Sequence, residues 1–177
     1  MLGRLLSVAR VGRRDPLLVL LAFRVFALLV LSRAIITLLP LRRISRHLGT
    51  PMVETPLEGV DPEPARFARR VAWCINRLSP HTPTESNCYP QALTARWLLH
   101  RRGIPTTFYY GAAFESGGSE LATHVWLRCG SHVVTGGRPG RHFQPLTYFA
   151  DEARTARRSG YHSVFSFGRG REPQTWS

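Results

Sequence analysis

The sequence predicts an α+β domain, because segments with helical periodicity come first and segments with strand periodicity follow them. Apolar residues recur at three- and four-residue steps over residues 64–78, and a second helical pattern begins at Cys88. Strand patterns follow within residues 106–137, and a two-residue turn joins two of them. This order of elements is typical of helices that pack on an antiparallel sheet.

The chain has 177 residues, the length of one ordinary domain with an extension. Residues 1–50 are rich in Leu, Val and Arg, and Asp15 is their one acidic residue. Residues 51–64 contain four prolines, which indicates a linker. We therefore expect an N-terminal helical segment over residues 1–50, a core over residues 65–150 and a tail over residues 151–177.

The formal net charge is +13, and all 24 basic residues are arginine. An all-arginine composition indicates a GC-rich bacterial coding bias. The arginines are spread along the chain and do not form one stripe with interleaved aromatic residues, so we expect no nucleic-acid partner. An acidic peptide and an anionic membrane surface both remain as partners for such a charge.

The three cysteines, Cys74, Cys88 and Cys129, include no C-x-x-C pair. An odd number in this arrangement argues against a disulfide framework and favours a reducing cytoplasm. A metal site from Cys74, His81 and Cys88 would match no standard ligand spacing, and we expect neither a metal nor another cofactor. The apolar N-terminal stretch has no small-residue cleavage site, so we do not interpret it as a signal peptide.

Residues 17–39 form an apolar run that is long enough to cross a bilayer. Arg24 and Arg33 interrupt it, and each would cost about 2.5–3.5 kcal/mol at the bilayer centre. Arginines flank both ends, so no charge asymmetry orients a span. We favour a helix that packs on the domain or contacts a membrane surface through residues 15–46, with a true span as the alternative.

The first core helix is predicted over residues 64–78, where most arginines lie off an apolar stripe. This stripe consists of Phe67, Val71, Cys74 and Leu78. Cys74 is therefore expected to be a small core residue.

The second core helix begins at Cys88, with Ser86 or Asn87 as its N-cap and Gly103 as its stop. Its apolar face consists of Leu93, Trp97 and Leu98. Cys88 thus lies in the first turn, away from that face. A thiol at a helix N-terminus is favoured as the nucleophilic thiolate by the helix dipole, and the free N–H groups can stabilise an oxyanion.

Strands are predicted over residues 106–114, 122–129 and 132–137, and residues 142–158 contain a further strand or helix. In the second strand, alternation puts Val125, Leu127 and Cys129 on the face we expect to be buried. His124 lies on the other face, and there it is the candidate base for Cys88.

These motifs in this order resemble the peptidase portion of the lasso peptide B protein, a transglutaminase-like cysteine protease family also called the microcin-processing C-terminal domain. The matching residues are Cys88, Pro90, Ala92, Leu93, Arg101, Arg102, Gly103, Ile104, Pro105, His124, Trp126, Gly130, Val133 and Val134. The resemblance covers residues 15–150. It implies a papain/transglutaminase-like core and removal of the leader from a ribosomal lasso precursor, with Cys88 as nucleophile and His124 as base.

The sequence departs from that family at Gly136, where the family carries an aspartate that orients the histidine. A regular two-residue hairpin would set His124 across from Gly137 and put Thr135 diagonal to it. Thr135 or Asp151 could replace the acid, and a dyad without a third group is the other option. With a one-residue bulge, Gly136→Asp would restore the third group.

The resemblance also implies partners. Residues 1–50 do not resemble the family's winged-helix-like recognition module, so a separate leader-recognition protein is expected, with a lasso cyclase as a further partner. Two other functions stay open. One is an amidase or acyltransferase of the same fold. The other is a non-catalytic, membrane-associated binding protein on a degenerate protease fold.

Overall fold

The computed structural model describes residues 15–58, 60–83, 86–114, 121–137 and 143–152. Within these ranges the helices are α1 (Pro16–Leu38), α2 (Leu41–Ser45), α3 (Pro62–Leu78) and α4 (Cys88–His100). The strands are β1 (Thr50–Pro51), β2 (Thr106–Phe114), β3 (Leu121–Cys129), β4 (His132–Thr135) and β5 (Gln144–Asp151). The predicted α+β class is confirmed, and each predicted core helix and strand begins within about two residues of its expected position.

The five strands form one antiparallel sheet in the order β1-β5-β2-β3-β4. The segment for which the sequence left strand or helix open is β5, and it lies inside the sheet between β1 and β2. Pairing between β3 and β4 is irregular, because the register shifts between Leu127 and Arg128. This bulge determines which residue of β3 lies opposite Thr135.

Helices α3 and α4 pack on one face of the sheet, and α1 packs on these two helices. The core between them is apolar and contains Val25 and Leu29 of α1, Val71 and Ile75 of α3, Ala95 and Leu99 of α4, and Phe108, Val125 and Leu127 of the sheet. The opposite face of the sheet carries aromatic side chains, where Tyr109 stacks on Trp126 with ring centroids 5.0 Å apart. Both faces of the central strands are therefore buried, one under the apolar side chains of the helices and the other under aromatic side chains of the sheet itself.

Arg128 is buried beneath that aromatic face and is fully engaged by polar partners. Its guanidinium donates to the Tyr109 hydroxyl at 2.9 Å and forms an ion pair with Glu54 at 3.2 Å. It also donates to the carbonyl oxygens of Gly130 and Thr55 and to the hydroxyl of Thr107. A buried charge is tolerated only with such compensation, and the network fixes the segment before α3 to the sheet.

Helix α1 begins at an Asp15 N-cap, whose carboxylate accepts a hydrogen bond from the Leu18 N–H at 3.2 Å. One side of α1 is buried against α3 and α4, and there the Ser32 hydroxyl bonds to that of Thr94 at 3.0 Å. By length and composition α1 is apolar enough to cross a membrane, and 33% of its most apolar window is buried inside the protein. The packing agrees with the interpretation of α1 as a helix docked on the domain.

A variant that lacks residues 1–40 should lose the fold, because α1 contributes Val25 and Leu29 to the core. Burial of each large apolar side chain contributes about 1.5–3 kcal/mol, and a domain of this kind is stable by only about 5–15 kcal/mol. We expect aggregation in detergent-free buffer and no cooperative thermal transition by circular dichroism. Leu17→Gln is the control within α1, because this side chain is 70% exposed, and that variant should keep its transition. A folded, soluble 1–40 deletion would show that α1 is dispensable to the core.

Candidate active site

Cys88 is the first residue of α4 and follows the N-cap Asn87. The turn before it folds back onto the helix, since the Gln91 side-chain amide donates to the Ser86 carbonyl at 2.7 Å. The Thr82 hydroxyl donates to the Ser86 hydroxyl at 2.8 Å, which fixes the same turn from its other side. The start of α4, and with it the half-buried thiol, is thereby held in place.

The thiol of Cys88 lies in an open cleft of about 240 Å³ between α4, the sheet and the end of α1. The walls are mostly apolar and consist of Ile36, Leu39, Leu41, Ile44, Tyr89, Tyr110, Thr123 and Val125. A thiol at a helix N-terminus beside an accessible cleft has the placement that a cysteine nucleophile needs.

The other two cysteines are buried in the core. Burial raises the pKa of the Cys74 thiol to about 11. It also raises the pKa of Cys129, and the charge of Arg128 opposes that rise only in part. The prediction that Cys74 is a core residue is confirmed, and Cys88 is the one cysteine that is not fully buried.

Iodoacetamide should therefore modify Cys88 first in the native protein at pH 8. With a pKa of about 11, Cys74 has only about 0.1% thiolate at this pH, and its burial also excludes the reagent. Peptide mass spectrometry over time should show Cys88 labelled at least tenfold faster than the other two cysteines. In a denaturant all three should react at similar rates, and similar rates in the native protein would contradict the described burial.

His124 lies in β3, opposite Gly111 of β2. Its Nε2 is 2.7 Å from the carbonyl oxygen of Gly136, and because a carbonyl can only accept, Nε2 donates this bond. The ring packs beside Trp126 at 6.0 Å and beside Phe143 at 5.1 Å between centroids. A main-chain oxygen thus orients the imidazole where the resembled family uses an aspartate.

Cys88 and His124 lie on opposite faces of the sheet. Thr123 and Val125 line the cysteine cleft, so strand alternation turns His124 toward the aromatic face with Trp126. In the described residues no hydrogen bond joins the thiol to the imidazole. The expected buried face of β3 is confirmed, but α4 packs on that same face, so the expectation that the face of His124 meets Cys88 does not hold in this structure.

Thr135 does not lie beside His124. The bulge in the β3–β4 pair sets Thr135 opposite Leu127, on the helix side of the sheet, where its hydroxyl is buried without a hydrogen-bond partner in the described part of the chain. The regular hairpin that would place it diagonal to His124 is therefore absent, and this expectation was wrong.

Asp151 is also engaged elsewhere. It ends β5 opposite Thr106, and its buried carboxylate pairs with Arg96 at 3.0 Å and with Nδ1 of His100 at 2.9 Å. Burial lowers the pKa of Arg96, and the charge of Asp151 opposes that effect. Both partners lie in the second half of α4, away from Cys88, so Asp151 fastens that end of the helix to the sheet and does not orient His124.

Gly136 is the residue that sequence reasoning missed as the partner of His124, because only side chains were considered as its third group. Its φ of +89° lies in the left-handed region, and an added Cβ would be 2.6 Å from both the Val125 oxygen and the Trp126 Cβ. An aspartate here would not fit without displacing β3, so the expected rescue by Gly136→Asp is overturned. Every residue offers a main-chain carbonyl, so the sequence carried no signal that marked Gly136 as this acceptor.

The model of a family described as the transglutaminase-like superfamily matches residues 31–148, more than half of the chain. The match begins within α1 and ends within β5, and both Cys88 and His124 lie inside it. No curated protein and no solved structure matches the chain. Within the ranges that the structure describes, no three His, Cys, Asp or Glu side chains are grouped so that they could hold a metal ion.

Proposed function

Because the chain belongs to the transglutaminase-like superfamily, we propose that it is a cysteine peptidase that removes the leader from a ribosomally made lasso peptide precursor. Membership supports a peptidase-like role in general. The observation that carries the proposal is the position of Cys88, the first residue of α4 with an accessible cleft beside it. The lasso substrate rests on the resemblance of the motifs around Cys88 and His124.

In the proposed reaction the Cys88 thiol gives its proton to the imidazole of His124, and the sulfur attacks the carbonyl carbon of the scissile peptide bond, so that a C–S bond forms as the C=O π electrons move onto oxygen. The negative charge that develops on the carbonyl oxygen is stabilised by the free N–H groups in the first turn of α4. The C–N bond then breaks, and the leaving amine takes a proton from the imidazolium. Water then attacks the thioester and gives a proton to the imidazole. The C–S bond breaks, the acyl product leaves as a carboxylic acid, and the imidazolium returns its proton to the Cys88 sulfur.

His124 is the proposed base, and it must change faces to act on Cys88. A shift of residues 121–124 by one position along β2 would do this, because a one-residue slip turns each side chain to the other side of a sheet. The shift would break the bond from His124 to the Gly136 oxygen. We propose that binding of the precursor beside β3 compensates the loss of this hydrogen bond.

Cysteine cross-linking tests this shift directly. In the free protein, a short bis-maleimide should join Cys88 to Thr123→Cys, which lies in the same cleft, and should not join it to His124→Cys on the other face. With the precursor bound, His124→Cys should become reactive toward the same linker. A cross-link to His124→Cys that never forms would exclude His124 as the base.

The proposed partners are the lasso precursor, a separate leader-recognition protein and a lasso cyclase, in the cytoplasm and with α1 in contact with a membrane surface. We expect the purified chain to cleave the precursor slowly and the leader-recognition protein to raise the rate, as measured by mass spectrometry of the products. Equal rates with and without that protein would remove it as a partner. No cleavage under either condition would overturn the peptidase function.

A second candidate function is a non-catalytic binding protein on the same fold, associated with a membrane. The observation that favours it is the position of His124, which bonds to a main-chain oxygen on the face away from Cys88. It predicts precursor binding without hydrolysis. An amidase or acyltransferase would use the same thiol and is distinguished by an added amine, which would be incorporated into the acyl product and seen by its mass.

A further inference from the structure

A second cavity, of about 530 Å³, lies between α1, α2 and α4. It adjoins the Cys88 cleft, because Leu39 and Ile44 line both. The two cavities are therefore neighbours beside the end of α1, and they share part of their lining. The mechanism proposed above uses only the first of them.

The walls of the second cavity are apolar, and its rim is cationic. Leu28, Ile35, Leu93 and Trp97 are among the wall residues, and Arg43, Arg46 and His47 are at the rim. Arg96 also lines the cavity, but its charge is compensated by Asp151 at 3.0 Å and it donates to the Leu48 carbonyl at 3.0 Å. Arg43 and Arg46 differ from Arg96, since in the described part of the chain neither of the two forms an ion pair.

No acidic residue occurs between residues 16 and 53, while this stretch contains five arginines. The positive potential at the cavity mouth therefore has no local counter-charge in the sequence around it. An arginine beside an apolar surface binds a carboxylate strongly, since the guanidinium fork can donate two parallel hydrogen bonds and nearby water is reduced. The rim is suited to an anionic group whose neighbours are apolar.

We propose that the cavity and the Cys88 cleft form one peptide-binding groove, in which Arg43 and Arg46 bind an acidic side chain of the substrate and the cavity walls bind the apolar side chains next to it. This deepens and rests on the proposed peptidase function. The rim arginines, which lack an ion-pair partner among the described residues, and the two lining residues shared with the thiol cleft favour an acidic peptide as the occupant. It follows that substrates are selected by an acidic residue with apolar neighbours near the scissile bond.

Peptide binding to a Cys88→Ala chain tests the groove without cleavage. The probes are the acetylated, amidated peptides Leu-Leu-Glu-Leu-Leu and Leu-Leu-Gln-Leu-Leu. Trp97 lines the cavity and is 43% exposed, so its fluorescence should report occupancy, and Trp97→Phe should remove the signal. We expect the Glu peptide to bind about tenfold more tightly than the Gln peptide, as one charge-assisted hydrogen bond would give.

A double variant, Arg43→Gln with Arg46→Gln, should abolish the preference for Glu. Arg42→Gln is the matched control, because this arginine is also exposed on α2 but does not line the cavity, and it should keep the preference. Equal binding of the two peptides, an unchanged preference in the double variant, or no response at millimolar peptide would overturn the proposal. A Trp97 response to phosphatidylglycerol vesicles without one to the peptides would assign the cavity to lipid and also overturn it.

The proposal of the peptide-binding groove and the proposal of a peptidase function can be rejected independently of each other. Selective binding of the Glu peptide without hydrolysis of any precursor by the unaltered chain would retain the groove and reject the peptidase. Precursor cleavage that depends on Cys88 but shows no preference for Glu would retain the peptidase and reject the groove.

Discussion

Cys88→Ala should reduce precursor cleavage by roughly 10⁴-fold or more, as expected when a covalent nucleophile is removed. The same change should lower stability by less than about 1 kcal/mol, because the side chain is only half-buried and makes no hydrogen bond among the described residues. Single-turnover cleavage followed by mass spectrometry and urea unfolding followed by circular dichroism measure the two effects.

Cys74→Ala is the matched control for this experiment, because the same atom is removed from a fully buried site. It should lower the free energy of unfolding by about 1–2 kcal/mol through the cavity it leaves and should keep the cleavage rate. Retained cleavage in Cys88→Ala would remove this thiol as the nucleophile. Loss of cleavage in both variants together would show that activity follows stability and does not depend on one sulfur.

Gly136→Ala should be strongly destabilising, by about 3 kcal/mol or more, because the new methyl group adds a steric clash to the cost of a left-handed backbone. An added Cβ would lie 2.6 Å from the Val125 oxygen. Gly137→Ala is the matched control, since its φ is also positive, at +63°, while its Cβ would meet nothing within 4 Å. That variant should lose only about 1–2 kcal/mol.

Urea unfolding gives the free energy of unfolding of the two glycine variants. The difference between them reports the steric clash at residue 136, because both variants place an alanine at a positive φ. The variants should also differ at His124, whose Nε2 bonds to the oxygen of Gly136, so its ring N–H resonance should move in Gly136→Ala and stay in Gly137→Ala. Equal losses of stability in the two variants would contradict the close packing of Gly136 against β3. Gly136→Asp carries the same clash with a larger, charged side chain at a half-buried position, so we expect it to fold less well than Gly136→Ala.

The helices and most strands could be predicted because their signals are local. Caps, glycine stops and apolar spacing fix where α3 and α4 begin and end, and Gly103 indeed takes a positive φ just after α4. Alternation in β3 also identified the side that packs into the helical core. These features depend on a few neighbouring residues and need no knowledge of the tertiary arrangement.

The relation between Cys88 and His124 depends on packing and could not be read from the strand pattern. Alternation placed Val125 on the helical side of β3, but it does not show that Cys88, at the start of α4, lies against that same side and not against the side of His124. The bulge that sets Thr135 opposite Leu127 has no strong sequence signal, because β4 (His132–Thr135) contains neither glycine nor proline. The motif order identified the transglutaminase-like superfamily without settling this geometry.

The position of β5 inside the sheet has a consequence for synthesis of the chain. β1 contains Thr50, and its partner in β5 is Ala150, so the sheet closes through contacts between distant parts of the sequence. Until β5 has emerged from the ribosome, β2 keeps an unpaired edge and β1 has no partner. Such an edge can pair with another chain, and contacts of this separation form slowly. A nascent chain interrupted before residue 144 would therefore expose its central strand, and its fate would depend on chaperones that shield it.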